Sequence, residues 1–314
     1  MCVVQDKPGF IWVGTNKGID RYDGYSLQHY DLPRSQARLT SNRIRALHVD
    51  HAGTIWAGME GGGLCWYDPH QDRFLDVQAL STNKAWAPLL QQLAYTSVVA
   101  LASDSKNQLW VATQERGLLL LRVDEQRRLT RVNRLQLTDP AANTVFISKL
   151  VVDDQDNVWI GTLGTGLWRV NNPALRKTPP SAIQVFPVPT SNIRALHLDN
   201  QGDLWVGTDY KIYWLRKNRL SAAKATSFVA LQRKFALVES LFRDSWKRLW
   251  IGTNFGLLLM QPGPDSAGTL PVDERKVRTF LPLDTDPSSI SSARIHDMLE
   301  DRFHNLWLAA SAGG

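Results

Sequence analysis

The segment Asp6-Lys7-Pro8-Gly9-Phe10-Ile11-Trp12-Val13-Gly14-Thr15 decides the reading of this chain, because its pattern returns six more times. Tryptophans recur at Trp12, Trp56, Trp110, Trp159, Trp205, Trp250 and Trp307, at intervals of 44, 54, 49, 46, 45 and 57 residues. Six residues before each stands an aspartate: Asp6, Asp50, Asp104, Asp153, Asp199, Asp244 and Asp301. Nine before is apolar (Val3, Leu47, Leu101, Leu150, Leu196, Leu241, Met298). Twelve before is β-branched in every unit that has the position (Ile44, Val98, Ile147, Ile193, Val238, Ile295). Two after the tryptophan comes Gly or Ala, followed by threonine in five of the seven units. A period of this length denotes a solenoid or a propeller.

Each column has a physical reason. The apolar run before the aspartate reads as a first strand. Asp followed three residues later by Gly, as in Asp6–Gly9, Asp50–Gly53 and Asp199–Gly202, reads as a tight turn: the carboxylate caps it and Gly accepts the unusual φ. Asn107 and Asp156 tolerate the same dihedral, whereas Lys247 and His304 fit less well, so those turns are expected to differ. The tryptophan segment is a second strand, in which Trp12 and Gly14 share a face. That pairing of a large ring with a bare site suits a wedge between neighbouring sheets. Third strands are expected over 18–22, 63–67, 117–122 and 166–170, and fourth strands over 27–30, 74–77, 185–187 and 277–281.

Four short strands per repeat make one propeller blade, which is marginal alone and must stack on neighbours. The expectation is an all-β, seven-bladed β-propeller of four-stranded blades occupying 1–314 as one region. Helical solenoids are disfavoured because the periodicity inside the units is near two. The last blade is expected to be incomplete, with sequence beyond both ends missing. Two insertions stretch the repeat. Residues 77–96 carry a short helix starting near Pro88, with apolar residues packing down on the blades. Residues 261–276 read as a solvated Gly/Pro-rich loop.

Apolar content of 43% and charged content of 21% are those of a soluble globular chain. The net charge of +6 is mild and scattered, so no nucleic-acid role is expected. No apolar run reaches membrane-spanning length, and no signal peptide is visible. Cys65, in an apolar run, reads as a buried free thiol. His48 and His197 occupy equivalent strand positions, which argues for structure rather than catalysis. No metal-ligand spacing occurs, Asp153-Asp154-Gln155-Asp156 is dominated by a turn residue, and Gly58–Gly63 lacks the Lys and helix of a phosphate loop. No catalytic residue, metal or cofactor is expected. The loops after the tryptophan strands vary between blades and are the better place to seek binding. Lys17 and Arg116 are candidate anion partners there, and Tyr210 and Phe255 candidate stacking groups.

Residues 6–24 resemble the two-component regulator propeller repeat, as do Leu39-Thr40-Ser41-Asn42-Arg43-Ile44 and Ser289-Ile290-Ser291-Ser292. The resemblance implies the extracytoplasmic, periplasmic sensor region of a bacterial hybrid histidine kinase or a related receptor. It implies a ligand such as an extracellular glycan or peptide, a homodimer, and further receptor domains carrying the membrane helix and the kinase or cyclase output. No sugar-binding residue of the family transfers to this chain. An interaction scaffold without a small ligand, and a propeller lyase or glycosidase, stay open as alternatives.

Overall fold

The computed structural model describes all residues except 31–41, 82, 115, 136, 138–144, 172–181, 187–191, 221–227, 265–269 and 312–314; for 182–186 it describes the backbone alone. Residues 39–41 and 265–269, which the sequence reading singled out, lie outside the described set. The fold is all-β, a seven-bladed β-propeller. Among the described residues there are six four-stranded sheets, each running in chain order, and one two-stranded sheet, Ile295–Glu300 with Leu306–Ala310. The chain groups into two compact units, residues 1–158 with 170–182 and residues 159–169 with 183–314. Among the described residues no helix is long and apolar enough to cross a membrane.

In blade one the strands are Cys2–Gln5, Ile11–Gly14, Ile19–Tyr22 and Leu27–Tyr30. The aspartate opens the turn between the first two, and its two oxygens divide the work. Asp6 Oδ1 accepts the amides of Gly9 and Phe10, both at 2.8 Å, while Oδ2 accepts the Trp12 indole N–H at 2.7 Å. The same indole bond runs from Trp56 to Asp50, Trp205 to Asp199 and Trp307 to Asp301 at 2.9 Å, and from Trp250 to Asp244 at 2.8 Å. A carboxylate that serves both turn and indole fixes each tryptophan against its own hairpin. Blade three spends the second oxygen otherwise: Gln108 Nε2 takes Asp104 Oδ2 at 2.8 Å, and Trp110 Nε1 has no acceptor. In blade four Asn157 Nδ2 also donates to Asp153 Oδ2, at 2.9 Å.

The turns at Lys247 and His304 do not differ from the rest, contrary to the sequence expectation. Both residues take the left-handed conformation (φ 64° and 65°), as do Asn107, Asp156 and the glycines, and both close the turn with the same amide bond at 2.9 Å. The capping carboxylate holds a backbone that their side chains disfavour.

Tryptophans lie where one sheet meets the next. Trp12 packs on Tyr67 and Phe74 of blade two, with ring centroids 4.8 and 5.9 Å away. A Cβ at Gly14 would stand 2.5 Å from Ile44, and one at Gly58 2.5 Å from Val98, so the next blade fills the space that the small residue leaves. In the second unit Gly207 faces Val238 and Gly252 faces Ile295 in the same way.

The insertion after blade two forms the helix Ala87–Leu93, with Pro88 in its first turn, and buries Leu90 and Leu93 beside Val77 and Leu80. The other insertion is corrected: it is a lengthened hairpin, not a loop over 261–276. Gly256–Pro262 and Val272–Phe280 pair out to Pro262–Val272. Of the remaining fourth strands, Arg73–Asp76 falls one residue earlier than expected, Ala182–Phe186 begins three residues earlier, and Leu129–Leu135 and Val229–Ala230 complete blades three and five. Cys2 and Cys65 are buried thiols outside any disulfide, and burial pushes the Cys65 thiol up.

Candidate functional site

The loop after each tryptophan strand is shaped by the threonine column. Thr15 Oγ1 donates to the Gly18 carbonyl at 3.0 Å and accepts the Lys17 amide at 3.0 Å. Thr113, Thr162, Thr208 and Thr253 close their loops with the same donation, at 2.6 to 3.0 Å. In those five blades the closed loop is a rigid mount for the residue after the threonine, Asn16, Gln114, Leu163, Asp209 or Asn254; the same position, four beyond the tryptophan, is Glu60 in blade two and Ser311 in blade seven.

Opposite that residue stands one that the register skips. In blades two, three, five, six and seven the pairing between first and second strands slips at Arg45, Val99, Arg194, Glu239 and His296. A bulge of this kind leaves one residue outside the ladder and re-aims its side chain. The two positions lie 15 residues apart, and in blades two, five and seven they meet. Arg45 places Nε 2.8 Å and Nη2 2.6 Å from Glu60 Oε2. Arg194 Nε bonds Asp209 Oδ1, and His296 Nε2 meets Ser311 Oγ.

In the first unit Arg43 Nη1 reaches the other Glu60 oxygen at 3.5 Å, and the neighbouring Gly61 amide donates to Ser97 Oγ of the next blade at 3.0 Å. In the second unit Asn192 Nδ2 donates to Asp209 Oδ2 at 2.8 Å. Glu239 accepts Arg294 Nη2 at 2.8 Å and Nε at 3.1 Å. Asn254, which follows Glu239 by the same interval, keeps a buried Oδ1 with no hydrogen-bond partner. These groups stand on strand ends rather than on free loops, so their geometry is held.

Ser311, His296 and Glu239 form a line that sequence reasoning missed. His296 Nδ1 is 3.8 Å from Glu239 Oε2, beyond hydrogen-bond distance, and Arg294 holds the carboxylate from the other side.

Of the four residues named from sequence, Lys17 and Arg116 belong to the first unit and Tyr210 and Phe255 to the second. Neither pair shares a hydrogen bond or ring contact. Lys17 is exposed at its loop tip. Arg116 Nη1 lies 3.4 Å from Gln92 Oε1, beside a water-sized cavity walled by Leu89, Leu93 and Arg134. Tyr210 and Phe255 are 58% and 68% exposed, leaving most of each ring free to stack. The bulged partners of these loops went unnamed. Their signal was present, since the residue after the β-branched column reads Arg45, Val99, Ser148, Arg194, Glu239 and His296, varying in charge beside a column that is always Ile or Val.

The two structural histidines behave as expected. His48 Nε2 meets Ser103 Oγ at 2.8 Å, and His197 Nε2 accepts the Arg243 amide at 3.0 Å. Burial pushes both down to about 4, so they are neutral imidazoles.

The two component regulator propeller profile matches residues 187–210. The chain is 24% identical to Histidine kinase P4 of Formosa agariphila over 286 residues, 88% of this chain. It spans 19% of that relative's length. Two solved extracellular domains of putative hybrid two component systems from B. thetaiotaomicron are each 20% identical. One superposes on 99% of this chain and 37% of its own length at a TM-score of 0.72. The other covers 100% and 39% at 0.73. Virginiamycin B lyase of Staphylococcus aureus, 12% identical, covers 99% of this chain and 91% of its own at 0.68. At these identities the structural likenesses speak to the fold alone.

Proposed function

Because this chain carries the two-component regulator propeller repeat, we propose that it is the extracytoplasmic ligand-sensing part of a signalling receptor of the hybrid histidine kinase type. The observation that carries this reading is the alignment with a histidine kinase along 88% of the chain. Location outside the cytoplasmic membrane rests on the likeness to extracellular domains of the same class of system. The kinase chemistry belongs to other parts of such a receptor, and this chain acts by binding.

The bulged strand ends and the loop tips facing them supply the binding groups. In the first unit Arg45 offers a planar fork and Glu60 an acceptor. In the second, Arg194 and Arg294 offer forks, Asp209 and Glu239 acceptors, and Tyr210 and Phe255 exposed rings. The mixture within a unit suits a ligand rich in both donors and acceptors, a glycan or a peptide. Each ion pair is closed within the protein, so a ligand competes for it and shifts the loop that carries the acidic partner. Loop movement at one protomer, passed to a homodimer, is the route to an output.

A protein-contact role is the second reading, favoured by Trp246 and Phe303, which are 52% and 74% exposed on successive Asp-turns of the second unit. A thermal-shift screen separates the two. The first reading expects soluble oligosaccharides or short peptides to raise the melting temperature of the chain, and Arg45→Ala or Arg194→Ala to abolish the rise. Stabilisation lost in Trp246→Ala and kept in both arginine variants supports the second reading against the first.

A further inference from the structure

The corner between the outer hairpins of blades one and two is filled. Asp72, on the turn before the fourth strand of blade two, accepts Tyr30 Oη at 2.8 Å, Tyr67 Oη at 2.5 Å and Gln28 Nε2 at 3.1 Å. Arg21, from the third strand of blade one, adds an ion pair at 3.8 Å. The polar groups of this corner satisfy one another.

The equivalent corner between blades two and three is open. The register places Trp66 where Arg21 stands, Leu75 where Gln28 stands and Val77 where Tyr30 stands. Arg127 takes the turn position of Asp72, with the same left-handed backbone (φ 58° and 48°). The result is a cleft of about 560 Å³ lined by Trp66, Asp68, Gln71, Leu75, Glu125 and Arg127. Its size is that of a small-ligand site.

Two buried donors there have no hydrogen-bond partner: the indole N–H of Trp66 and Arg127 Nη1. Trp66 is only 6% exposed. The guanidinium lies 5.2 Å from the Trp66 ring centroid, and its Nη1 is 3.6 Å from Asp68 Oδ1, too far for a hydrogen bond. Buried donors left unpaired are costly, and an acceptor that reaches both removes that cost. We propose that this cleft between blades two and three binds a small uncharged polyol, about one sugar ring in size. The ligand's hydroxyl oxygens accept from Trp66 and Arg127, and its hydroxyl protons are donated to Asp68 and Glu125. Two carboxylates against one guanidinium argue against an anion. The aliphatic wall at Leu75 and Leu80 meets the C–H face of a ring. The cleft lies on turns at the end of the blades opposite the bulged strand ends, and binding here does not depend on the receptor reading.

The test uses the full chain labelled with ¹⁵N, with the Trp66 indole resonance assigned by its absence in Trp66→Phe. Glucose, mannose, galactose and glycerol are titrated in turn, with glucuronate as the charged control. The expected result is that at least one neutral polyol moves the Trp66 resonance with millimolar affinity while the Trp56 resonance stays still. Arg127→Asn, which accepts the left-handed backbone, is expected to weaken that binding about tenfold, and glucuronate to bind less tightly than glucose. In the ligand-free protein, Trp66→Phe is expected to leave the melting temperature unchanged or raised, because it deletes an unpaired donor. A Trp66 resonance that no polyol moves overturns the proposal, as does a response unchanged in Arg127→Asn. Tighter binding of glucuronate overturns the assignment to an uncharged ligand.

Discussion

Arg243 Nη1 donates to Asp199 Oδ2 at 2.7 Å, joining blade six to the turn of blade five through a pair whose side chains are 4% and 1% exposed. Asp199 thus carries the turn amides of Gln201 and Asp203, the Trp205 indole and a guanidinium from the next sheet. One carboxylate serves local turn, strand and blade packing at once. Arg243→Met keeps the stem and removes the charge. It also removes the bonds of Arg243 to Gln201 Oε1 at 3.1 Å and to the Lys247 carbonyl at 3.3 Å, and leaves the Asp199 carboxylate buried without its cation, so the expected loss is about 3–5 kcal/mol. Chemical denaturation measures it; an unchanged midpoint would mean the pair contributes nothing.

The indole bonds predict a contrast between two buried tryptophans. Trp12→Phe strips Asp6 Oδ2 of its donor, whereas Trp110→Phe deletes an N–H that has no acceptor. The volume lost is the same in both. Trp12→Phe is expected to cost about 1–2 kcal/mol more than Trp110→Phe. Equal losses would show that packing alone holds the rings.

Lys247 and His304 pay for a left-handed backbone that five other turns meet with Gly, Asn or Asp. Lys247→Gly is expected to stabilise the chain by about 1 kcal/mol, after the entropy that glycine adds to the unfolded state is counted. A lower melting temperature would contradict the strain.

Stability is expected to fall on acidification through one identifiable window. His48 and His197 sit near 4 in the folded chain against 6.5 in the unfolded one, so between those values the unfolded state binds more protons. Their contribution is complete above 6.5 and is lost as the pH drops toward 4, by up to about 1.4 kcal/mol per pH unit for each residue. His197→Gln is expected to flatten the slope measured by denaturation between pH 6.5 and 4. An identical slope in the variant would refute the assignment.

The frame of this protein was legible because it repeats. Trp, Asp and Gly columns mark strand, turn and wedge, and seven copies average out local exceptions. What stayed hidden depends on partners the columns do not align. The second role of Asp6 needs the indole of Trp12 to fold back across its own hairpin. The turns at Lys247 and His304 looked foreign because propensity speaks of cost, and the capping carboxylate outweighs it. The pair of Arg45 with Glu60 is visible only once a bulge removes Arg45 from the ladder. The corner of Trp66 and Arg127 joins two blades, and no single repeat contains it.

The measurement that bears most directly on the central claim is calorimetry of the chain against soluble oligosaccharides and peptides, repeated with Glu60→Gln and Asp209→Asn. If the bulged strand ends and their facing loops bind ligand in either unit, at least one ligand binds, and one or both variants weaken it about tenfold while keeping the wild-type melting temperature. A ligand that binds both variants as tightly as the unaltered chain, or a panel that binds none, would contradict the account.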